Sequence, residues 1–87
     1  MRIPVDSPES LGQLVRALRR AQGIRQDDLA AMVGVSHVTL MNIERGKKGV
    51  AFDRVMDVLR ELGIRMQLDV PAEVAAQLAH PSNKQEE

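Results

Sequence analysis

One stretch of twenty residues constrains the fold of this chain more than any other, QDDLAAMVGVSHVTLMNIER at positions 26–45. Ala30 comes four residues after Gln26, and Gly34 comes four residues after Ala30. A small residue lets two helices cross closely, and a glycine adopts the positive φ that a tight turn between helices requires. Five apolar residues fill the intervening positions: Leu29, Val33, Val35, Leu40 and Ile43. The spacing predicts a helix-turn-helix rather than an ordinary αα-hairpin, because a hairpin does not need all these residues at these offsets.

The second helix of this motif has two different faces. At about 100° per residue, Leu40 and Ile43 share the face that we expect to be buried. The opposite face carries His37, Val38, Met41, Asn42 and Arg45. Because that face is free to touch another molecule, the pattern favours a helix that enters a groove of DNA.

The hydrophobic period predicts two more helices around the motif. Ser7 followed by Pro8 is a typical helix start, and the apolar stripe that follows ends at Gly23. The motif itself gives helices over about 26–33 and 37–45, with Ser36 as an N-cap and Gly46 as a stop. A fourth helix is predicted over about 52–62 from the apolar stripe Phe52, Val55, Met56, Leu59 and Leu62.

After Gly63 the period changes from 3.6 to 2. The segment 64–70 alternates the apolar residues Ile64, Met66, Leu68 and Val70 with the polar residues Arg65, Gln67 and Asp69. This alternation predicts one β-strand with a single buried face. Since no other segment alternates, we expect the strand to pair antiparallel with the same segment of a second copy. A twofold axis at Gln67 places Arg65 opposite the partner's Asp69 and predicts a homodimer.

The chain of 87 residues is expected to form one domain. We assign residues 1–6 to an N-terminal arm, 7–70 to the DNA-binding and dimerisation domain, and 71–87 to a partly disordered tail. Val74 and Leu78 allow a short helix in the tail before Pro81. The sequence has no cysteine, and its longest apolar stretch, 29–35, is far too short to cross a bilayer. We therefore expect a cytoplasmic protein without membrane association. When bound to DNA, it would lie on the nucleoid.

The distribution of charge matters more than its total. The formal net charge is zero, but residues 11–50 carry +4 and the remainder carries −4, which allows a positive face toward phosphates. Phe52 is the only aromatic residue. Modules that stack single-stranded bases on aromatic rings are therefore excluded, and double-stranded DNA is favoured.

Two groups of residues are the candidate DNA contacts. The side chains at the start of the second motif helix are expected to touch base edges: Ser36, His37, Val38, Thr39, Met41 and Asn42. Phosphate contacts are expected from the start of the first motif helix and from the basic loop after the second: Arg25, Gln26, Arg45, Lys47 and Lys48.

The sequence gives little support for catalysis. Ser36 and His37 are adjacent, so their side chains point in different directions on a helix, and no third group orients them. GKKG lacks the pattern of a phosphate-binding P-loop, and two histidines without cysteine make a poor zinc site. We expect no enzymatic activity, no cofactor and no metal.

The segment GIRQDDLAAMVGVSHVTLMNIERG resembles the Xre and Cro class of bacterial and phage repressors, although Arg25 stands where that motif usually has threonine. The Ser7–Pro8 start, the fourth helix and IRMQLDV in this order resemble the HipB-like antitoxins within that class. The resemblance covers about residues 7–70. It implies a lambda-repressor-like bundle of four to five helices, all-α apart from one C-terminal strand, that dimerises through an intersubunit two-stranded antiparallel sheet.

The resemblance also implies a function. It suggests a repressor that binds double-stranded operator DNA at its own promoter and also binds a HipA-like Ser/Thr kinase toxin. Two alternatives stay open: a free-standing regulator of the same class without a toxin, and a protein-docking module that has lost DNA binding.

Overall fold

The computed structural model describes residues 1–79, and these form a bundle of helices without a β-strand. The helices are Pro8–Ala21 (α1), Gln26–Val33 (α2), His37–Arg45 (α3), Phe52–Glu61 (α4) and Ala72–Leu78 (α5). Residues 1–6 have no regular secondary structure. α1 packs mainly against α3, while α2 contacts both α3 and α4. The four predicted helices are confirmed within a residue or two at each end.

The first helix begins with a reciprocal cap. The Ser7 hydroxyl accepts the backbone N–H of Ser10 at 3.0 Å, and the Ser10 hydroxyl accepts the backbone N–H of Ser7 at 3.3 Å. Pro8 occupies the first helical position, where no N–H is needed. This arrangement satisfies N–H groups that would otherwise lack a partner, and it confirms the predicted helix start.

The turn between α2 and α3 has the predicted geometry. Gly34 has a φ of +85°, and its N–H donates to the carbonyl oxygen of Ala30 at 2.9 Å. Ser36 caps α3 by accepting the backbone N–H of Thr39 at 2.9 Å. Because both conformations depend on local sequence, the helix-turn-helix forms where the spacing predicts it.

The core lies between α1, α2, α3 and α4. Its buried residues are Val15, Leu29, Ala30, Leu40, Ile43, Val58, Leu59 and Leu62. The predicted apolar stripe of α4 is wrong at its first residue, since Phe52 is 61% exposed. Phe52 occupies the first turn of α4 and extends beyond the core, whereas Val58, which the predicted stripe omits, is fully buried.

Gly12 allows α1 and α3 to approach at backbone distance. A Cβ atom at Gly12 would meet the carbonyl oxygen of Ile43 and would lie 2.6 Å from the carbonyl oxygen of Glu44. Real Cβ atoms do not come this close to backbone atoms. The contact between the first helix and the second motif helix therefore requires glycine at this position.

Residues 64–70 do not form the predicted strand in the single chain. The N–H of Ile64 donates to the carbonyl oxygen of Leu59 at 2.9 Å, and its side chain packs against the core. Beyond it, residues 65–70 are exposed, and Leu68 reaches 80%. A strand needs a neighbour for its peptide groups, and no other segment within residues 1–79 supplies one. Sheet pairing between two copies stays a prediction.

The predicted short helix of the tail is present as α5. None of its residues is buried, and Val74 and Leu78 are among the exposed apolar side chains. The predicted disorder in the tail falls on residues 82–87, which lie outside the described residues. Over residues 1–79, the structure contains no helix with the combined length and hydrophobicity needed to cross a membrane.

Candidate nucleic-acid interface

The outer face of α3 is accessible where its sequence pattern predicts. His37, Val38 and Arg45 are exposed, while Met41 and Asn42 are half-buried. Leu40 and Ile43 on the opposite side are buried in the core. The helix therefore presents a mixed polar and apolar surface, which suits contact with both the edges and the methyl groups of bases.

Two of the predicted base-contacting residues also hold the start of α3 together. The Ser36 hydroxyl donates to the Thr39 hydroxyl at 2.8 Å while it accepts the Thr39 backbone N–H. Ser36 is exposed, and Thr39 is half-buried. Both hydroxyl groups are therefore already engaged at the cap. The Ser36 hydroxyl uses its proton on Thr39, whereas the proton of the Thr39 hydroxyl is not used in this pair.

A buried ion pair that the sequence analysis missed joins α1 to α3. Arg19 donates from Nε to Oε2 of Glu44 at 2.6 Å and from Nη2 to Oε1 of Glu44 at 3.1 Å. The two side chains are only 11% and 3% exposed. Nη1 of Arg19 also donates to the carbonyl oxygen of Ile24 at 2.9 Å, so the guanidinium fixes the loop before α2 as well.

The ion pair continues as a chain of hydrogen bonds to the outer face. Nε2 of Gln26 lies 3.0 Å from Oε1 of Glu44, and Nε2 of His37 lies 2.8 Å from Oε1 of Gln26. Gln26 is half-buried, and both polar atoms of its amide are engaged. We call Arg19, Glu44, Gln26 and His37 the polar chain. It fixes the first turns of α2 and α3 relative to each other and to α1.

The spacing of α3 contains a signal for this buried pair. Glu44 follows Leu40 by four residues and Ile43 by one, which places it on the apolar stripe of the helix. A carboxylate buried there requires a charged partner and further hydrogen bonds. Arg19 supplies them from 25 residues away, and no local pattern identifies that partner.

Basic side chains follow the outer face of α3. Arg45, Lys47 and Lys48 are exposed, and the backbone N–H of Lys47 donates to the carbonyl oxygen of Asn42 at 2.9 Å. This bond holds the start of the basic loop against the end of α3. The three predicted phosphate contacts on this side are therefore brought together.

Arg25, the predicted phosphate contact at the N-cap of α2, is engaged by a neighbour. Its Nε and Nη2 donate to the two carboxylate oxygens of Asp27 at 3.2 and 3.3 Å. The hydrogen bond from Arg25 lowers the pKa of Asp27 below its ordinary value. Asp27 therefore stays ionised near neutral pH and competes with any phosphate for Arg25. Arg25 makes no side-chain capping bond to α2, as its sequence predicts.

A polar cleft of about 310 Å³ opens between α1, α2 and α3. It is lined by Arg16, Arg19, Gln26, Met41, Glu44 and Arg45. Because Arg19 and Glu44 neutralise each other, Arg16 and Arg45 give the cleft a positive charge. Arg16 is a candidate anion contact that the sequence analysis did not select. The sequence feature that could have identified Arg16 is its position on α1 outside the apolar stripe.

The helix arrangement matches a known family. Residues 15–68 match the family model described as helix-turn-helix, HTH_3. The chain belongs to the Xre-type helix-turn-helix family. It is 35% identical over 69 residues to an uncharacterised HTH-type transcriptional regulator, y4mF of Sinorhizobium fredii, covering 79% of this chain and 91% of that one. The protein is thus a helix-turn-helix transcriptional regulator, in a family of regulators rather than enzymes.

Solved structures show the same fold. A chain of a HipA-HipB-O2-O3 complex superposes with a TM-score of 0.72 at 23% identity, over 79% of this chain and 97% of that one. The clp gene regulator ClgR from C. glutamicum superposes with a TM-score of 0.62 at 29% identity, over 90% of this chain and 95% of that one. The Xre-type regulator therefore shares its fold with a chain of a HipA-containing complex and with a gene regulator that is not named with HipA.

Proposed function

We propose that this protein is a dimeric repressor that places α3 of each protomer in successive major grooves of its operator. One observation carries the proposal: the polar chain holds His37 at the start of α3, on the accessible face of a helix whose other end is followed by exposed basic residues. A surface that is both rigid and positively charged suits sequence-specific binding to double-stranded DNA. Two half-sites would lie about one helical turn, ~34 Å, apart.

The proposed contacts divide into two classes. Val38 and Met41 are suited to thymine methyl groups, and Asn42 is suited to adenine or a phosphate. His37, Ser36 and Thr39 complete the base-reading set. Phosphates are held by Arg25, Gln26, Arg45, Lys47 and Lys48, to which the cleft adds Arg16. Nε2 of Gln26 keeps a second N–H beyond the one that Glu44 accepts, so its phosphate contact uses that N–H together with the N-terminal backbone N–H groups of α2.

Lys47→Gln is expected to weaken binding to all DNA sequences alike, because a phosphate contact carries no base information. The slope of log affinity against log salt should fall by about one. Filter binding or fluorescence anisotropy at several salt concentrations measures both effects. Arg60→Gln is the matched control, since Arg60 pairs with Asp57 on α4 at 3.0 Å, and it should leave the slope unchanged. An unaltered slope in Lys47→Gln contradicts the phosphate role.

Arg25→Thr is expected to change stability and DNA binding in opposite directions. Threonine caps α2 as arginine does not, so the free energy of unfolding should rise by about 0.5–1 kcal/mol. DNA affinity should fall, because a positive charge near the phosphates is lost. Ala51→Ser is the control, since Ala51 is the N-cap of α4 without a side-chain bond. Ala51→Ser should raise the free energy of unfolding by a similar amount and leave DNA affinity unchanged. If Arg25→Thr is instead less stable than the wild type, arginine is the better residue at the N-cap of α2.

We propose that two copies pair through residues 64–70 as an antiparallel two-stranded sheet. Within residues 1–79 the segment has no strand partner, and Met66, Leu68 and Val70 are exposed. Pairing about Gln67 would satisfy the peptide groups that face the partner strand and bring Arg65 opposite the partner's Asp69. Covering an apolar side chain of this size contributes about 1.5–3 kcal/mol, which exceeds the contribution of an exposed ion pair.

Leu68→Asp is expected to yield monomers that bind operator DNA poorly. A charge buried in the sheet interface would lose its hydration, and one half-site alone provides few contacts. Light scattering measures the mass, and anisotropy measures the affinity. Gln67→Thr is the matched control, since Gln67 lies on the polar face of the proposed strand and threonine adds no charge at the twofold axis; it should stay dimeric. A Leu68→Asp variant that stays dimeric would disprove this interface.

We further propose that the protein is a HipB-type antitoxin that represses its own operon and binds a HipA-like Ser/Thr kinase toxin. Support comes from the order of elements and from the fold shared with a chain of the HipA-HipB-O2-O3 complex. A second candidate is a free-standing regulator, which the similarity to ClgR favours.

Purification of the tagged protein from its native host at low salt distinguishes these functions. A HipA-like kinase in stoichiometric amount together with DNA of the protein's own promoter supports the antitoxin. Promoter DNA without a protein partner supports the free-standing regulator. A third outcome is a protein partner without bound DNA, together with no operator binding by the pure protein. This outcome would contradict the proposed repressor function and support a protein-docking module.

A further inference from the structure

The polar chain determines which way round the Gln26 amide lies. Glu44 is ionised in its pair with Arg19, and a carboxylate only accepts hydrogen bonds. The Gln26 atom that lies 3.0 Å from Oε1 of Glu44 is therefore the amide nitrogen, which donates. The carbonyl oxygen of the same amide is left to face His37.

The orientation of Gln26 in turn determines the tautomer of His37. Nε2 of His37 lies 2.8 Å from the Gln26 carbonyl oxygen, and a carbonyl oxygen only accepts. Nε2 must therefore carry the proton. In a neutral imidazole one ring nitrogen carries a proton and the other bears a lone pair, so Nδ1 is an acceptor. Within residues 1–79, Nδ1 makes no hydrogen bond, and the side chain is exposed at the start of α3.

We propose that neutral His37 reads DNA through Nδ1, by accepting a hydrogen bond from the exocyclic amino group of adenine or cytosine. This inference rests on the proposed function, since it needs α3 in the major groove. There adenine presents N6–H₂ and cytosine presents N4–H₂, whereas guanine and thymine present acceptors on the same edge. The operator should therefore carry adenine or cytosine, and not guanine or thymine, at one position on one strand of each half-site.

The preference follows from the whole polar chain and not from histidine alone. An imidazole without a fixed partner can exchange tautomers and donate from Nδ1 to guanine. In this protein, exchange would place the lone pair of Nε2 against the lone pairs of the Gln26 oxygen. Gln26 is not free to turn its amide over, because its nitrogen would then lose Glu44, which Arg19 holds from two nitrogens.

The tautomer can be measured without DNA. The full chain with His80→Asn has one histidine, and its ring nitrogens can be labelled with ¹⁵N and observed at about pH 8, where an imidazole is neutral. We expect a single tautomer with the proton on Nε2. Adding Gln26→Ala to the same chain should make the other tautomer detectable. A proton on Nδ1, or an even mixture in the chain that retains Gln26, would overturn the inference.

The base preference is tested by selecting binding sites from a random duplex library at about pH 8. Adenine or cytosine should be retained at one position per half-site, and His37→Ala should remove the preference at that position alone. Replacing that base pair by its reverse should weaken binding by the wild-type chain about tenfold, the effect of leaving a desolvated acceptor unpaired. Glu61→Ala, an exposed change on α4, should leave the selected sequence unaltered.

The possible failures are distinguishable. In one case the selection yields a well-defined operator, but His37→Ala removes a preference for guanine or thymine, or removes no preference at all. Either result overturns this inference and leaves the repressor function supported. A selection that yields no preferred sequence overturns the repressor and the base reading together, while the tautomer measurement still reports on the polar chain.

Discussion

Replacing Gly12 with alanine is expected to destabilise the protein by about 2–3 kcal/mol. The new Cβ atom would meet backbone oxygens of α3, with Glu44 O at 2.6 Å, and backbone atoms cannot move aside as a side chain can. Overpacking of this kind costs about 3 kcal/mol, offset in part by the higher helix propensity of alanine, about 1 kcal/mol. Native proteins of this class are stable by only about 5–15 kcal/mol, so the loss is large.

Urea unfolding followed by circular dichroism measures the effect of Gly12→Ala. Gln13→Ala is the matched control, because Gln13 is the next residue of α1 and is exposed. We expect the control to change stability by less than about 0.5 kcal/mol. A Gly12→Ala variant as stable as the wild type would show that α1 and α3 do not approach at backbone distance.

Glu44→Leu is expected to cost about 3–5 kcal/mol, the loss seen when one partner of a buried ion pair is removed. The change leaves the Arg19 guanidinium buried without its carboxylate, and it leaves the nitrogen of Gln26 without an acceptor. Since Gln26 holds His37, sequence discrimination should weaken even in the fraction that stays folded. Urea unfolding and operator-binding assays measure the two effects.

A double-mutant cycle separates the pair from the packing of its two side chains. Arg19→Met combined with Glu44→Leu should be more stable than Glu44→Leu alone, because no unpaired charge is then buried. Recovery should be incomplete, since the Ile24 carbonyl oxygen also loses its donor. Asp57→Asn, which breaks the exposed pair with Arg60, should cost less than about 1 kcal/mol. If the losses of unfolding free energy in Arg19→Met and Glu44→Leu simply add in the double variant, the two side chains are not energetically coupled.

The helix-turn-helix could be predicted from sequence because its requirements are local. Gly34 and Ser36 each meet a demand made by residues within four positions: a positive φ after α2 and a free backbone N–H at the start of α3. The apolar period then orients α3, with Leu40 and Ile43 inward and His37 outward. Such features depend little on the rest of the chain, so they fold as the spacing indicates.

Features that depend on distant partners were not accessible from the pattern. Arg19 and Glu44 are 25 residues apart, and although the place of Glu44 on the apolar stripe of α3 indicates burial, no local pattern identifies Arg19 as its partner. Phe52 fits the apolar stripe of α4, but it is the first residue of that helix and stays 61% exposed. The segment 64–70 has the alternation of a strand, yet a strand requires a neighbour that its own chain does not provide within residues 1–79.

The polar chain also limits how this scaffold can acquire new DNA targets. Val38 belongs to no hydrogen-bonded network in the described chain, so it can be exchanged freely as operators diverge. His37 is different, because whatever replaces it inherits an oriented carbonyl oxygen on Gln26 that requires a donor. Side chains with an N–H group, such as glutamine, asparagine or lysine, meet that requirement. Evolution of specificity at this position should therefore proceed among side chains that donate a hydrogen bond, while the rest of the outer face varies without that restriction.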